Sequence, residues 1–381
     1  MKIKSIEPIA VSLPMKKPVQ MAGETVTRAD NVLVRVESDT GVVGWGEAAS
    51  APTMTGETVA GMMAAVSHMA PALLGRAADD FAGASAAMNA LIYGNTGAKA
   101  AIEIALHDLV GRGTGCPLHV LLGGKVRDRM PVLAVVGSED AIADMREAQA
   151  RYAAGHRAFK IKVGLASAAV DAARTRSLCT ALKALSRNDG VPCLVSADAN
   201  QGYGLDEALH FVQDVDDCGL DFFEQPVDAH DLEGMARVAA AAQQRGLQVG
   251  ADEGIHSSAD IARHHQEQAA HGVSLKAIKL GGLRALLEAS RLCERLGLKV
   301  NISCKTGESS IASAAAIHVA AVAPAIAWGL TVTSPGLAED VTATPVGVEA
   351  GHVTVPQGCG LGVAVDEYRV RRSAQDFKRV A

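Results

Sequence analysis

From Pro131 onward, short apolar runs alternate with longer amphipathic segments. Runs of this kind predict buried strands, and apolar residues spaced three and four apart predict the helices that cover them. The predicted strands are 131–137, 159–164, 193–200, 220–226, 247–254, 273–282 and 299–305, with a weaker eighth at 327–333. The predicted helices include 142–154, 205–218 and 283–296. Such an alternation predicts an α/β protein with a parallel (β/α) barrel.

The first part of the chain has a different pattern. The stretches "DNVLVRVES" and "TGVVGWGEA" alternate as two strands joined by a turn at 39–41. Residues 56–92 are rich in Ala and Met and predict helices, and "AKAAIEIALHDLVGRGTG" predicts a helix that ends at Gly. We therefore expect an α+β domain at 1–125 and the barrel at 126–354, with a C-terminal segment from about 355 to 381 that returns to the first domain.

Composition and charge narrow the class of protein. The net charge is -6, with both signs scattered along the chain, so no basic block indicates nucleic acid. No apolar run is long enough to cross a membrane, and the first residues lack the apolar region of a signal peptide. The seven Cys include no CxxC pair, which favours a reduced, cytoplasmic protein and disfavours a zinc site made of Cys.

Two lysines lie inside one predicted buried strand. Lys160 and Lys162, in "AFKIKVG", are two residues apart and therefore point to the same face. Like charges on one buried face repel, so something opposite them must compensate. The alternative, that they are charges on an edge strand that discourage aggregation, fits poorly with a strand inside an alternating α/β series.

Three acids fall at the ends of successive predicted strands. Asp198, Glu224 and Asp252 each end an apolar run, and the carboxyl ends of barrel strands converge on one mouth, where catalysis occurs. Three carboxylates converging there would repel one another unless a cation lies among them. Oxygen ligands without nearby Cys or His select Mg²⁺ or Mn²⁺. A single acid at a strand end is more often a helix N-cap or an ion-pair partner, and the ligand assignment depends on the three acids and the lysines together.

A further amine follows on the next strand. Lys276, in "SLKAIKLGG", would lie across the ion from Lys162, so that a substrate between them could lose a proton to one lysine and gain one from the other. Removal of a proton next to a carboxylate makes an unstable enolate, which a divalent ion would stabilise. A neighbouring ammonium and a dication would lower the pKa of a lysine and make it a base near neutral pH.

These motifs, in this order, resemble the enolase superfamily, and within it the muconate lactonizing enzyme subgroup. The similarity rests on Lys-x-Lys, Asp-x-Asn, Glu-Gln-Pro, Ala-Asp-Glu and a Lys before Gly-Gly. It extends to "VGWGEA", "AIEIALHDLVGR", "LLGGKVRDR" and "GLGVAVDE", and so covers nearly the whole chain.

The resemblance implies a fold and roles for individual residues. The fold is a modified (β/α)7β barrel (TIM barrel) with an N-terminal α+β capping domain. Asp198, Glu224 and Asp252 would hold Mg²⁺, Lys162 and Lys276 would be the acid and base, and Lys160 would lie close to the substrate carboxylate and the metal. The subgroup also implies a homo-oligomer, from dimer to octamer.

Several assignments have alternatives. Glu253 could replace Asp252 as a ligand, but strand alternation points it away, so we expect it to act behind the ligands, orienting Lys276. Asn200 shares the face of Asp198 and is either a supporting residue or a turn residue. Lys279 competes with Lys276 for the catalytic position; the family pattern favours Lys276.

One stretch departs from the subgroup. In "SCKTGESSIAS", Lys305 stands where the lactonizing enzymes have a Glu, and Glu308 is out of register. Lys305 would suit a second anionic or polar group of the substrate, or be an exposed residue at a helix N-terminus. The specificity loops should lie near 15–30 and 49–58, with Met21 and Met54 as apolar contacts.

The resulting hypothesis is a Mg²⁺-dependent enzyme that abstracts the α-proton of a small-molecule carboxylate through a metal-stabilised enolate, similar to muconate cycloisomerase. The alternatives are a racemase or epimerase of an amino acid derivative, or a dehydratase of a hydroxy acid. A metal-independent Schiff-base lyase and a non-catalytic binding barrel fit less well, since neither needs the three acids together with the lysines.

Overall fold

The protein is described here from a computed structural model that covers residues 1–21, 24–138, 140–324 and 326–380. The side chains of Met21, Glu24, Arg379 and Val380 lie outside the described part. The chain forms a small antiparallel sheet with helices, followed by a barrel. Within the described residues, every helix is too short or too polar to cross a lipid bilayer.

The N-terminal part is a three-stranded antiparallel sheet covered by helices. Its strands, in the order β1-β2-β3, are β1 (Ile3–Met21), β2 (Glu24–Ser38) and β3 (Val43–Ala49). Its helices are α1 (Val59–Leu73), α2 (Phe81–Leu91) and α3 (Thr96–Thr114). The described residues of the segment 15–30, predicted as a loop, belong instead to β1 and β2, which pair with an irregularity between Pro14 and Val19.

Two glycines in β3 let the strand lie directly on α3. A Cβ atom at Gly46 would be 1.9 Å from the carbonyl oxygen of Ala101, and one at Gly44 would be 2.3 Å from that of Ala105. Backbone atoms cannot move away as side chains can, so only Gly fits at these positions. This explains why the motif "VGWGEA" carries glycines on both sides of Trp45.

The barrel prediction is confirmed. A short strand, β4 (Arg129–Pro131), and the helix α4 (Leu118–Leu121) connect the two parts. The eight barrel strands are β5 (Ala134–Val136), β6 (Ala158–Lys162), β7 (Leu194–Asp198), β8 (Phe222–Glu224), β9 (Gln248–Ala251), β10 (Gly272–Leu275), β11 (Lys299–Ser303) and β12 (Leu330–Thr331). The helices between them are α5 (Ala141–Ala153), α6 (Ala168–Asp189), α7 (Leu205–Asp214), α8 (Leu232–Gln243), α9 (Ser258–Gln266), α10 (Ala277–Leu280), α11 (Leu283–Leu296) and α12 (Ser310–Val322).

The eight strands are parallel neighbours in chain order, from β5 to β12. The ring is closed by a parallel bridge between Val132 and Leu330 and by a 2.9 Å hydrogen bond from the Leu133 N–H to the Leu330 carbonyl. In a ring of eight, strands four steps apart face each other. Therefore β6 lies opposite β10, and β7 lies opposite β11.

One predicted strand is too long. The sequence predicts a strand over 273–282, but β10 ends at Leu275, and Ala277–Leu280 forms the short helix α10. Gly281, with a φ of 87°, ends this helix in a left-handed conformation. The apolar residues after Lys276 therefore belong to a helical turn, which changes where Lys279 lies.

The chain ends on the N-terminal sheet. After a 3₁₀ turn at Ser334–Gly336, the strand β13 (His352–Thr354) pairs with β4, and the last helix, α13 (Glu367–Val380), packs against β1. This contact agrees with the predicted return of the C-terminal segment. The boundaries at 125 and 354 stay predictions.

Candidate active site

A cavity of about 630 Å³ lies at the carboxyl ends of the barrel strands, under the hairpin of β1 and β2. Residues from both parts of the chain line it, among them Gln20 and Met54 from the N-terminal part. The predicted site residues that line it from the barrel are Lys160, Lys162, Asp198, Asn200, Asp252, Glu253, Lys276 and Lys305. Every barrel residue predicted for the site except Glu224 therefore lines one cavity.

The three predicted acids end neighbouring strands. Asp198 and Glu224 are the last residues of β7 and β8 and are directly paired in the parallel register. Asp252 follows β9 immediately. All three side chains are buried, and the Ser274 hydroxyl donates a 3.0 Å hydrogen bond to Glu224 Oε1. Parallel strands of similar length thus bring acids that are distant in sequence to one edge.

Lys160 lies between two of these acids. Its Nζ atom is 2.6 Å from Glu224 Oε2 and 3.7 Å from Asp198 Oδ2, and the side chain is buried. Burial disfavours its charge, but the carboxylates of Glu224 and Asp198 outweigh burial and raise its pKa above the ordinary value. Lys160 is therefore a fixed positive charge at the floor of the cavity.

Lys162 lies at one side of the acids, at the end of β6. Its ammonium donates to Asp198 Oδ2 at 2.6 Å and to Asn200 Oδ1 at 2.5 Å. The amide of Asn200 in turn donates to Glu253 Oε1 at 3.0 Å. Asn200 thus connects Lys162 to Glu253, and with a φ of 42° it also lies in the turn after β7, so the structure agrees with both predicted roles.

Lys276 lies at the other side, directly after β10. It binds both carboxylate oxygens of Asp252 and is buried. A neighbouring ammonium and a dication would lower the pKa of a lysine at this position. Here burial does act in that direction, but the carboxylates of Asp252 and Glu253 outweigh it and raise the pKa of Lys276.

Sequence reasoning missed the contacts of Lys279. Its ammonium is fully buried and donates to Asp252 Oδ1 at 2.6 Å, to the Asp252 carbonyl and to the Ser274 carbonyl at 3.0 Å. It therefore fixes the position of Asp252 from behind, while Lys276 faces the cavity. The sequence feature that could have revealed this position is the Gly-Gly pair after Lys279, because here it ends a helical turn and not a strand.

Gln225 is a second residue whose role the sequence did not reveal. It follows Glu224, and its side-chain oxygen accepts hydrogen bonds from the N–H groups of Asp252 at 2.8 Å and Gly254 at 3.3 Å. Its own backbone has a φ of 36°, which an ordinary residue rarely adopts. This turn directs the side-chain amide of Gln225 toward the end of β9, where it holds Asp252 in place.

The protonation of the acids follows from their neighbours. Burial would raise the pKa of Asp198, but Lys162 and Lys160 outweigh it and lower the pKa. Burial would also raise the pKa of Asp252, but Lys276 and Lys279 outweigh burial and lower this pKa. Burial raises the pKa of Glu224, and it raises that of Glu253 to about 7, helped by the charge of Asp252. Asp198 and Asp252 are therefore anionic.

The site has the donors for a hard divalent cation. Among the residues that the structure describes, no three Asp, Glu, His or Cys side chains are close enough to enclose an ion as they stand. Ammonium groups contact each of the three acids and supply the positive charge that balances them. The set of buried carboxylates on neighbouring strands fits Mg²⁺ or Mn²⁺, which prefer oxygen ligands.

The remaining predicted residues are Lys305, Met54 and Met21. Lys305 is buried and lines the cavity two residues after β11, while Glu308 does not line it. Lys305 is therefore not the exposed helix residue that we considered as its alternative. Met54 lines the cavity from the N-terminal part. The predicted contact of Met21 lies outside the described side chains.

Fold and site define an α/β barrel enzyme with acids and lysines at its mouth, and comparison with known proteins gives the family. Residues 5–123 match the model of the mandelate racemase/muconate lactonizing enzyme N-terminal domain, and residues 143–369 match the enolase C-terminal domain-like model. The chain belongs to the enolase superfamily, in the muconate lactonizing enzyme subgroup, and is an isomerase of that superfamily.

The relatives differ in the reactions that their names describe. A chloromuconate cycloisomerase of Cupriavidus necator is 31% identical over 97% of this chain and 98% of that protein. An L-Ala-D/L-Glu epimerase of Clostridium acetobutylicum is 32% identical over 84% of this chain and 86% of that protein. The structure of muconate lactonizing enzyme from Pseudomonas fluorescens with muconolactone is 31% identical, covers 98% of this chain and 99% of its own, and superposes with a TM-score of 0.90.

Proposed function

We propose that this protein is a Mg²⁺-dependent isomerase, similar to muconate cycloisomerase, that moves a proton at the carbon next to a substrate carboxylate. The supporting observation is the position of its lysines. Lys162 ends β6 and Lys276 follows β10, and these strands lie opposite each other in the ring. The acid-bearing strands β7, β8 and β9 lie between them.

In this arrangement the two lysines approach a bound substrate from opposite faces. A lysine that has lost its proton accepts the α-proton, and the opposite ammonium donates one. Asn200 and Asp198 fix the Lys162 ammonium, and Asp252 fixes that of Lys276, so neither side chain has to be ordered during the reaction.

Lys160 and the acids act on the substrate carboxylate. Asp198, Glu224 and Asp252 would hold Mg²⁺, which would supply positive charge beside the carboxylate, where negative charge develops as the proton leaves. Lys160 adds a fixed positive charge at the same place. The N-terminal hairpin over the mouth keeps water away from the reacting carbon.

A second candidate is racemisation or epimerisation of an amino acid derivative. It is favoured by the same opposed lysines, because removal of a proton from one face and its return to the other inverts the carbon. Lys305, in place of the acid expected of a lactonizing enzyme, also counts against lactonization of muconate itself.

Exchange of the α-hydrogen with D₂O tests the proposal on both candidates. A library of carboxylic acids, N-acyl amino acids, dipeptides and hydroxy acids is incubated with enzyme and Mg²⁺, and exchange is followed by NMR. We expect Lys162→Ala and Lys276→Ala each to slow exchange by about 10²–10⁴-fold for the enantiomer whose α-hydrogen faces the missing lysine. Lys299→Ala, an exposed lysine at the opposite end of the barrel, is the control and should leave the rate unchanged.

Undiminished exchange in both lysine variants would contradict the roles given to them. Activity that survives excess EDTA, or a substrate adduct trapped by borohydride, would instead support Schiff-base chemistry at a lysine. Binding of acids without exchange or turnover would favour a non-catalytic barrel.

A further inference from the structure

A buried cluster of charges lies beside the site, outside the cavity. Its centre is Arg174 in α6, which donates to Asp144 Oδ2 in α5 at 2.7 Å and to Asp171 Oδ1 at 3.1 Å. All three side chains are buried. None of the three lines the cavity of the site, so the proposed function gives them no role.

Arg174 also binds the backbone of Lys162. Its Nη2 atom donates to the Lys162 carbonyl as well as to Asp171. One guanidinium therefore connects the last residue of β6 to two buried carboxylates. Because a guanidinium is planar and presents its donors in a fixed geometry, it holds these three acceptors in fixed positions relative to one another.

The two carboxylates extend this contact to the neighbouring strand ends. Asp144 Oδ1 accepts from the N–H and from the hydroxyl of Ser138, after β5, both at 2.7 Å. Asp171 Oδ2 accepts from the Gly164 N–H at 2.8 Å and from the Tyr203 hydroxyl, just before α7, at 2.7 Å. The cluster thus ties together the chain that follows β5, β6 and β7.

The two lysines of the site are supported by different means. Lys276 is followed at once by α10, and two N–H groups of this helix donate to the Lys276 carbonyl at 3.2 Å. Residues 163–167, which follow Lys162, lie outside helices and strands. At Lys162, the side chain of Arg174 donates to the carbonyl in the way that the helix does at Lys276.

The stem of Lys162 is confined as well. A Cβ atom at Gly137, directly after β5, would lie 2.6 Å from the Lys162 Cβ atom. The chain at the end of β5 therefore lies against the lysine stem and leaves it little space on that side. A displacement of the Lys162 backbone would consequently displace its ammonium, and the rate of proton transfer depends on the position of that group.

We propose that Arg174 is a positioning residue for proton transfer by Lys162 and not for proton transfer by Lys276. It acts through the Lys162 carbonyl and, by way of Asp171, through the chain at Gly164. This inference rests on the proposed function and adds a residue to it. Each face of the substrate carbon then depends on a lysine with its own support, so that one face can lose proton transfer while the other keeps it.

Exchange of the α-hydrogen with D₂O, measured separately on the two enantiomers of a substrate, tests the inference. The enantiomer whose exchange Lys162→Ala abolishes is the one that faces Lys162. For this enantiomer, Arg174→Lys should lower kcat by about 10–100-fold with KM unchanged, because it keeps the charge but loses the planar group that reaches three acceptors. Exchange of the opposite enantiomer should stay close to the wild-type rate.

A second variant removes the guanidinium without leaving a net charge in the core. Loss of Arg174 alone would leave two buried carboxylates without their cation, which endangers folding. The double variant Arg174→Gln with Asp144→Asn removes one charge of each sign and should show the same selective loss. Arg176→Gln is the matched control, since this exposed arginine of the same helix donates to backbone carbonyls at and beyond the end of α7, and it should leave both enantiomers unaffected.

Hydrogen exchange of the backbone measures the support without a substrate. The segment 162–166 contains the Gly164 N–H that donates to Asp171. By mass spectrometry, this segment should take up deuterium faster in both Arg174 variants than in the wild type, and Arg176→Gln should not change it. Unchanged protection of this segment in both Arg174 variants would mean that Arg174 does not hold the chain at Lys162, and would overturn the inference.

The two proposals fail in different ways. A loss that both enantiomers share equally, a change in KM alone, or no loss in either Arg174 variant would overturn the inference and leave the proposed function standing. Absence of exchange with every acid would overturn the proposed function and the inference with it.

Discussion

At the residue scale, the structure uses buried charges in two ways. In the site, carboxylates and ammonium groups lie in direct contact, so each lowers the electrostatic cost of burying the other. Beside it, Glu308 and Glu47 are buried acids held by N–H and hydroxyl donors instead. Glu47 accepts from Asn31 and from Ser309 at the start of α12, which ties the N-terminal sheet to the barrel.

The raised pKa of Glu308 predicts a pH-dependent stability. Its folded pKa of about 8 exceeds the ordinary value of 4.5, so its contribution is fully present below pH 4.5 and is lost as pH rises through 8. Glu308→Gln cannot ionise and should lack this loss. Between pH 5 and pH 8.5 the free energy of unfolding of the wild type should fall more than that of the variant, by on the order of 4 kcal/mol.

Urea unfolding at the two pH values measures this difference. Glu288→Gln, an exposed acid paired with Arg291, is the control and should follow the wild type. If the curves of Glu308→Gln and of the wild type stay parallel across this range, Glu308 is not protonated in the folded protein.

At the element scale, the contact between β3 and α3 requires glycine. Gly46→Ala would push a methyl group into the Ala101 carbonyl and separate the strand from the helix, so we expect a loss of roughly 2–3 kcal/mol in the free energy of unfolding. Gly61→Ala is the control, because this exposed position near the start of α1 has no close contact except the Thr58 hydroxyl at 3.4 Å.

Gly61→Ala should be neutral or should stabilise the protein by up to about 1 kcal/mol, since Ala is the better helix former. Thermal and urea unfolding compare the two variants. Equal effects of both substitutions would mean that the close approach of β3 to α3 is not a constraint.

The sequence could predict a site residue where the residue directly follows an apolar run that forms a barrel strand. Asp198, Glu224 and Asp252 could be located because each follows an apolar run, and barrel geometry brings such ends together. The roles of Lys279 and Gln225 could not be predicted, because each depends on a side chain that reaches a neighbouring strand end. The hairpin at 15–30 was missed because polar residues such as Lys16, Lys17 and Gln20 hide the strand pattern of an exposed edge.

At the scale of the whole molecule, the site depends on contacts between the two parts of the chain. Glu103 in α3 accepts hydrogen bonds from the N–H groups of Leu283 at 2.6 Å and Arg284 at 3.3 Å, at the start of α11. Glu47 in β3 likewise accepts hydrogen bonds from the N–H groups of Ser309 and Ala312, at the start of α12. Acids from the N-terminal part thus bind the N-termini of barrel helices, where the helix dipole favours negative charge. Association into a homo-oligomer and a cytoplasmic location stay predictions.

These contacts explain a difference in what the sequence could predict. The positions of the barrel residues were predictable, but the contacts between the N-terminal part and the barrel were not. The repeating strand–helix unit of the barrel brings the strand ends to one mouth in chain order. Glu47 and Glu103, in contrast, lie in the N-terminal part and meet their partners only in the folded chain, so no local pattern marks them.

The central claim is that Asp198, Glu224 and Asp252 hold one divalent ion. The most direct measurement is anomalous diffraction from crystals grown with Mn²⁺ in place of Mg²⁺. We expect a single anomalous peak at the barrel mouth, about 2.1 Å from an oxygen of each of the three carboxylates. An active enzyme whose crystals show no peak there, or show the ion bound by other residues, would contradict the account.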